Sequence, residues 1–262
     1  MTRDGARVWG AGLYLGLMLA FLYLPIVVMI VMAFNRSPLY ELPFVFDLVW
    51  FKALATNDRL LQASFNSLWI ALVTAAIATV LGMLAAYAFA RYEFRAKRTL
   101  QVLLFPPITI PWLIVGTSML VFFFWTGIGR GLHAILLGHV ALALPYVIVV
   151  IGARFQAVDA SLEEAALTAG ASPWQAFTRI TLPLLAPGLI AAALFAFAVS
   201  FDQFVISYFL APPGVSTLPV EIYSAIRKGF TPEINAVSAL IILLSMGLML
   251  IVARFYKFGG ER

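Results

Sequence analysis

Six stretches of this chain contain no aspartate, glutamate, lysine or arginine, and each is long enough to cross a bilayer. Val8–Asn35 has 28 such residues, Leu60–Ala90 has 31, Thr99–Gly129 has 31, Gly131–Ala153 has 23, Ile180–Phe201 has 22 and Ile234–Ala253 has 20. A hydrocarbon core of ~30 Å is spanned by ~20 helical residues. Membrane β-strands would give shorter alternating segments, and backbone groups in lipid must be satisfied within their own segment, so these intervals are expected to be helices. The spacing predicts spans near 11–34, 63–90, 100–126, 134–154, 185–210 and 234–254. The first apolar run is about twice the length of a signal-peptide core, and it is read as a true span.

Composition agrees. Sixty-three per cent of the 262 residues are hydrophobic and 11% are charged, against ~45–50% and ~25% in soluble domains. That excludes a soluble enzyme and a disordered chain, and the absence of cysteine excludes disulfides and thiolate chemistry. The net charge of +5 reads as topology. With both termini inside, eleven basic residues fall on the inner side (four of them in Arg91–Arg98) and six on the outer. The positive-inside rule therefore predicts cytoplasmic termini, and a nucleic-acid partner is not expected.

Motifs for chemistry on the chain itself are missing. There is no phosphate-binding G-x-x-x-x-G-K-[ST] loop, no H-E-x-x-H and no G-x-S-x-G. His133 and His139 are six apart, on different faces of a helix, and are expected to pack rather than bind metal. No cofactor or metal is expected on this chain.

One polar insertion stands out between the fourth and fifth spans, at about 160–172. Ser161 and Glu164 have capping-box spacing, and Glu163 and Glu164 suit the positive end of a helix. Gly170 is the expected left-handed stop. Ser172, Pro173 and Gln175 then signal a second helix start. Ala165, Ala166 and Ala169 form a small-residue face that a partner can approach closely, and the carboxylates suit basic groups on that partner. A helix resting on the membrane surface would instead want a basic face and bulky apolar residues.

Glu164-Ala165-Ala166, Gly170, Ile180 and Leu182-Pro183, at these spacings, resemble the EAA loop of permease subunits in bacterial ABC-type importers. The resemblance implies a type I importer permease: an all-α membrane protein of about six helices, forming one transmembrane domain over 1–262 in the bacterial plasma membrane. It implies a coupling helix formed by Glu163, Glu164, Ala165, Ala166, Gly170, Ala171 and Ser172, seated against an ATP-binding subunit. ATP and Mg would be held by two such subunits, which explains the missing phosphate loop. A second, homologous permease subunit, an extracytoplasmic solute-binding protein and membrane lipid complete the implied partners.

Similarity to spermidine/putrescine permeases, the second permease of such systems in particular, extends through Ser200–Phe209, Thr217-Leu218-Pro219 and Pro232–Ala236. Asp202 is the notable residue there, since an acid within a span costs ~2.5 kcal/mol or more unless it faces a cavity or a partner. Its charge suits a cationic solute, and Phe201 and Tyr208 offer cation–π attraction beside Gln203. Where polyamine permeases often carry two adjacent acids, this chain has Asp202-Gln203, so a monocation, an amino-acid-like solute or an organophosphonate stays open. Pro106, Pro107, Pro111 and Pro145 interrupt the third and fourth spans, where freed carbonyls suit either a pathway or a packing kink. The rival reading is a gradient-driven secondary transporter or channel without an ATPase. It would favour inverted repeats and several intramembrane ionisable groups, and neither is visible.

Overall fold

The computed structural model describes residues 3–38, 41–228, 233–243 and 246–247, and side chains from residue 10 onward. Among them, four helices are long and apolar enough to cross a membrane: Gly10–Met32, Asp58–Arg91, Leu132–Gln156 and Pro173–Phe201. The first two belong to α1 (Arg3–Met32) and α3 (Asp58–Arg91), with short α2 (Val49–Ala55) between them. The third is α7 (Leu132–Gln156). A helix over Glu233–Leu243 (α13) begins the predicted sixth span; positions 248–254 of that span lie outside the described residues.

The third predicted span is not one helix. It divides into α4 (Lys97–Leu103), α5 (Pro106–Thr109) and α6 (Trp112–Trp125), and the α4–α5 arm meets α6 at 110°. Pro106, Pro107 and Pro111 remove three backbone donors in six residues. Ile110, before a proline, is driven out of the helical region to ψ 135°.

The fifth span also differs from its prediction. Helical structure begins earlier, at α9 (Pro173–Ala176), passes through a π-helical segment (Phe177–Thr181) and continues as α10 (Leu182–Phe201). It then stops at Asp202, where a uniform span to 210 was expected, and restarts as α11 (Phe204–Leu210). Gln203 sets the restart. Its backbone is extended (ψ 96°), and its side-chain oxygen accepts from the N–H groups of Val205 and Ile206.

The chain forms two compact units. One comprises Gln62–Glu221. Its core joins α3, α7 and α10 through Ala75, Ala78, Ala143, Val147, Leu185 and Ala192. So many alanines in facing positions let the helix backbones approach closely. Gly82 extends this logic: a Cβ there would lie 2.4 Å from Val147 Cγ1. A second cluster packs α11 against α7 and α6 through Ile206, Leu210, Ile135, Leu142 and Phe123.

The other unit comprises residues 1–61 and 222–262. No residue of the apolar stretch Gly10–Met32 is buried, and Gly12 and Gly16, four residues apart on α1, face open space. The segment after α1 is ordered by Asn35, which is fully buried. Asn35 Nδ2 donates to the Glu41 carbonyl (3.0 Å), Asn35 Oδ1 accepts from Val45 N (3.0 Å), and its carbonyl accepts from Trp50 Nε1 (2.8 Å). The glycosylation-like triplet Asn35-Arg36-Ser37 is therefore a structural hub.

Candidate functional site

The polar insertion folds as α8 (Ser161–Thr168), the turn 169–172, and α9. Gly170 has φ +91°, where any side chain would be strained. Ser172 and Gln175 make both bonds of a capping box, and Pro173 occupies the first turn of α9. The start of α8 is made differently from the expected Ser161–Glu164 box. Asp159 Oδ1 accepts from Ser161 N at 2.9 Å. Ala160 stands at the cap position with no side-chain cap bond, and the carboxylate just upstream takes up the first N–H of the helix. This backbone hydrogen bond holds the Asp159 carboxyl below the usual carboxylate range.

The two glutamates of α8 part company. Glu164, Ala165 and Ala169 are exposed, together with Leu162, Leu167 and Trp174. Glu163, expected beside Glu164 on the partner-facing side, turns inward with only 13% of its side chain accessible. Arg91, at the end of α3, grips it in a fork, with Nε at 3.0 Å from Oε2 and Nη2 at 3.4 Å from Oε1. The hydroxyl of Thr181, fully buried in the π-helical segment, also donates to Glu163 Oε1. The Arg91 guanidinium lies over the Phe155 ring, 5.7 Å from its centroid. Tyr87 joins Phe155 (5.9 Å) and Phe177 (5.2 Å) beside it. Three elements thus meet at one carboxylate, α3, α8 and the π-helical segment, and α7 supports the arginine that grips it. A cavity of about 780 Å³ opens next to them, lined by Arg91, Gln101, Phe105, Gly152 and Gln156 among others.

The second locus is the break between α10 and α11. Asp202 is exposed at the C-cap of α10 rather than embedded in a continuous span. Phe201 stacks on Phe197 (5.7 Å), and Tyr208, 46% exposed, contacts Phe204 and Phe209. Gln203 is buried (1% exposed), and its Nε2 has no hydrogen-bond partner among the described residues. His139 on α7 bridges the break, with Nδ1 at 2.8 Å from Ser200 Oγ and Nε2 at 3.1 Å from Ser207 Oγ. Ser207 Oγ in turn donates to the Gln203 carbonyl (2.9 Å). His133 sits elsewhere, its Nε2 2.9 Å from the Ile128 carbonyl.

Arg91, Thr181, Ser200 and Ser207 were given no site role from the sequence, and His139 was expected only to pack. Arg91 signalled only topology, and its partner is 72 residues away. The only hint for His139 was its position within an otherwise apolar span.

Long apolar helices, a proline-broken third span and a short polar helix leading into the fifth define a multi-pass helical permease. Residues 78–259 match the family described as binding-protein-dependent transport system inner membrane component, and the chain belongs to that family. It is therefore an inner-membrane permease subunit of a binding-protein-dependent importer. It is 36% identical over 233 residues to the spermidine/putrescine transport system permease protein PotC of Haemophilus influenzae, covering 88% of this chain and 90% of that one. It is 35% identical over 250 residues to the putrescine transport system permease protein PotI of Escherichia coli K12, covering 92% and 88%. A bacterial alginate ABC transporter, solved with its alginate pentasaccharide-bound periplasmic protein, shares the fold with TM-score 0.76 over 99% of this chain and 98% of that one, at 18% identity.

Proposed function

We propose that the chain pairs with a second, homologous permease subunit above two ATP-binding subunits, and imports a small cationic solute of the polyamine class delivered by an extracytoplasmic binding protein. The exposed strip of α8 carries this reading. An acid, small residues and apolar side chains (Glu164, Ala165, Ala169, Leu167) stand clear of the fold on a short helix, suited to seat in a groove of an ATP-binding subunit. The left-handed turn at Gly170 directs the chain from α8 into Pro173–Phe201, so the docking helix lies next in sequence to a transmembrane helix. On this reading α8 and both termini are cytoplasmic, ATP and Mg are held by the partner subunits, and this chain supplies the pathway.

Asp202 supports the choice of a cation. It is an exposed carboxylate at the break in the fifth span, with Phe201 and Tyr208 near it in sequence. The solutes in the names of the PotC and PotI relatives are polyamines.

Two measurements test this reading. Gly170→Asp and Glu164→Lys should leave the protein in the membrane while releasing the ATP-binding subunit in pull-downs, and normal ATP-driven uptake by both would overturn the docking role of α8. Asp202→Asn should cut putrescine uptake about tenfold by removing one ionic contact while assembly is retained. Unchanged uptake would exclude Asp202 from the pathway.

A further inference from the structure

Docking alone does not explain how a movement of α8 reaches the spans. Helix α8 has eight residues, about two turns, and leaves through a glycine at positive φ. A segment so short has little stiffness of its own. Pushed by a partner, it would bend at the turn unless something else tied it to the spans.

We propose that Arg91, Glu163 and Thr181 are that tie: a clasp that makes α8, the end of α3 and the start of α10 move as one body, with Glu163 as its positioning residue. The proposal rests on the importer reading and names the internal route of coupling within it. Three observations carry it. Glu163 is the acid of α8 that turns away from the exposed strip, so it is spent on the permease and not on the docking surface. Its carboxylate is held by a two-bond fork from α3 and by a hydroxyl from the segment that opens the fifth span. A forked arginine–carboxylate pair fixes direction as well as distance, and the Phe155 ring beneath the guanidinium holds the fork from α7.

The π-helical segment is the third observation. Its wider turn adds a residue to the helix ladder, and such turns recur at functional sites. Here it lies between the docking loop and α10, and its last residue, Thr181, faces Glu163. Glu163 is therefore joined to α10 by a contact that bypasses the Gly170 turn.

The test uses the whole importer in proteoliposomes, with spin labels on cysteines introduced at Leu84 on α3 and Thr168 on α8; the native chain has no cysteine to interfere. With the clasp intact, the Leu84–Thr168 distance should be the same before and after trapping with ATP and vanadate. In Glu163→Gln and Arg91→Met it should shift or broaden on trapping. Those variants should also hydrolyse ATP with their ATP-binding subunits bound, while putrescine taken up per ATP falls about tenfold, a size within reach of one coupling contact. Thr181→Val should give a smaller loss, and the exchange Arg91→Glu with Glu163→Arg should recover coupling. A native distance that changes on trapping, or single variants that leave it fixed, would overturn the proposal. So would failure of the exchange to recover coupling. Failure of the importer reading would look different: wild-type protein would purify without any ATP-binding subunit, before any substitution is made.

Discussion

Helix α10 is fastened at both ends by polar side chains, but with opposite chemistry. At its start, through the adjoining π-helical segment, the fastening is ionic: Arg91 and Glu163, with Thr181 donating. At its end it is neutral: His139 between Ser200 and Ser207. The ionic site is part-buried, with 16% of the Arg91 and 13% of the Glu163 side chain exposed, whereas the neutral one is buried. A charge pair tolerates burial only when each lone pair and proton is used, and the polar α8 region supplies a third partner for that purpose. Within the apolar body of the unit, uncharged hydroxyls and imidazole meet the same need without a large desolvation cost. The ionic anchor is directional and suited to carrying a push; the neutral one is suited to holding a break in place.

The comparison is broken most sharply by removing one partner from each anchor. Glu163→Ala leaves Arg91 part-buried without its counter-charge and should cost about 2–3 kcal/mol, the largest effect expected here. Replacing both Arg91 and Glu163 by methionine should recover most of that stability, because no buried charge remains, yet transport should stay uncoupled. Thermal unfolding of the purified complex, read beside uptake, separates the two outcomes. A double variant with normal coupling would show that packing at this point suffices without the ions.

His139→Leu should cost less, about 1–2 kcal/mol, because it strands the buried Ser200 hydroxyl, leaves Ser207 only its bond to the Gln203 carbonyl, and uncovers no charge. Adding Ser200→Ala and Ser207→Ala should return much of the loss. If the triple variant is no more stable than His139→Leu alone, then packing of the imidazole, and not its hydrogen bonds, holds the break between α10 and α11.

What could be read from the sequence follows the range of the forces involved. The Gly170 stop and the Ser172–Gln175 box are legible because each is settled within four residues. The approximate positions of the four long helices follow from where charge is absent. The third and fifth spans were placed but mis-shaped. Three prolines announced a break near 106–111, but the 110° bend depends on how α6 packs against α7 and α11. Nothing near Asp202 announced that Gln203 would cap a new helix with its own amide. The ionic clasp was least legible, because Arg91 and Glu163 meet only after α3 and α7 have packed, and each carried a simpler local explanation. The acids of α8 were read as a pair, although neighbouring residues point about 100° apart around a helix.

The start of α8 offers the smallest effect and a second contrast between charged and neutral fastening, this time at two neighbouring helix caps. The first N–H of α8 is held by a carboxylate, Asp159, whereas α9 is capped by uncharged Ser172 and Gln175. Because the folded state holds the Asp159 carboxyl below its usual range, its contribution is fully present above the unfolded value of about 3.9. It is lost as pH falls through the lower folded value. Amide hydrogen exchange, corrected for intrinsic rates, should therefore show α8 equally protected at neutral and mildly acidic pH, and less protected once Asp159 is protonated. The first amides of α9 should hold their protection over the same range. Asp159→Asn keeps an acceptor oxygen but cannot ionise, so it should remove the pH dependence of α8 while leaving α9 as before. If α8 in that variant still loosens in acid, the titrating group is another one, and the exposed Glu164 in the first turn of α8 becomes the carboxylate to replace next.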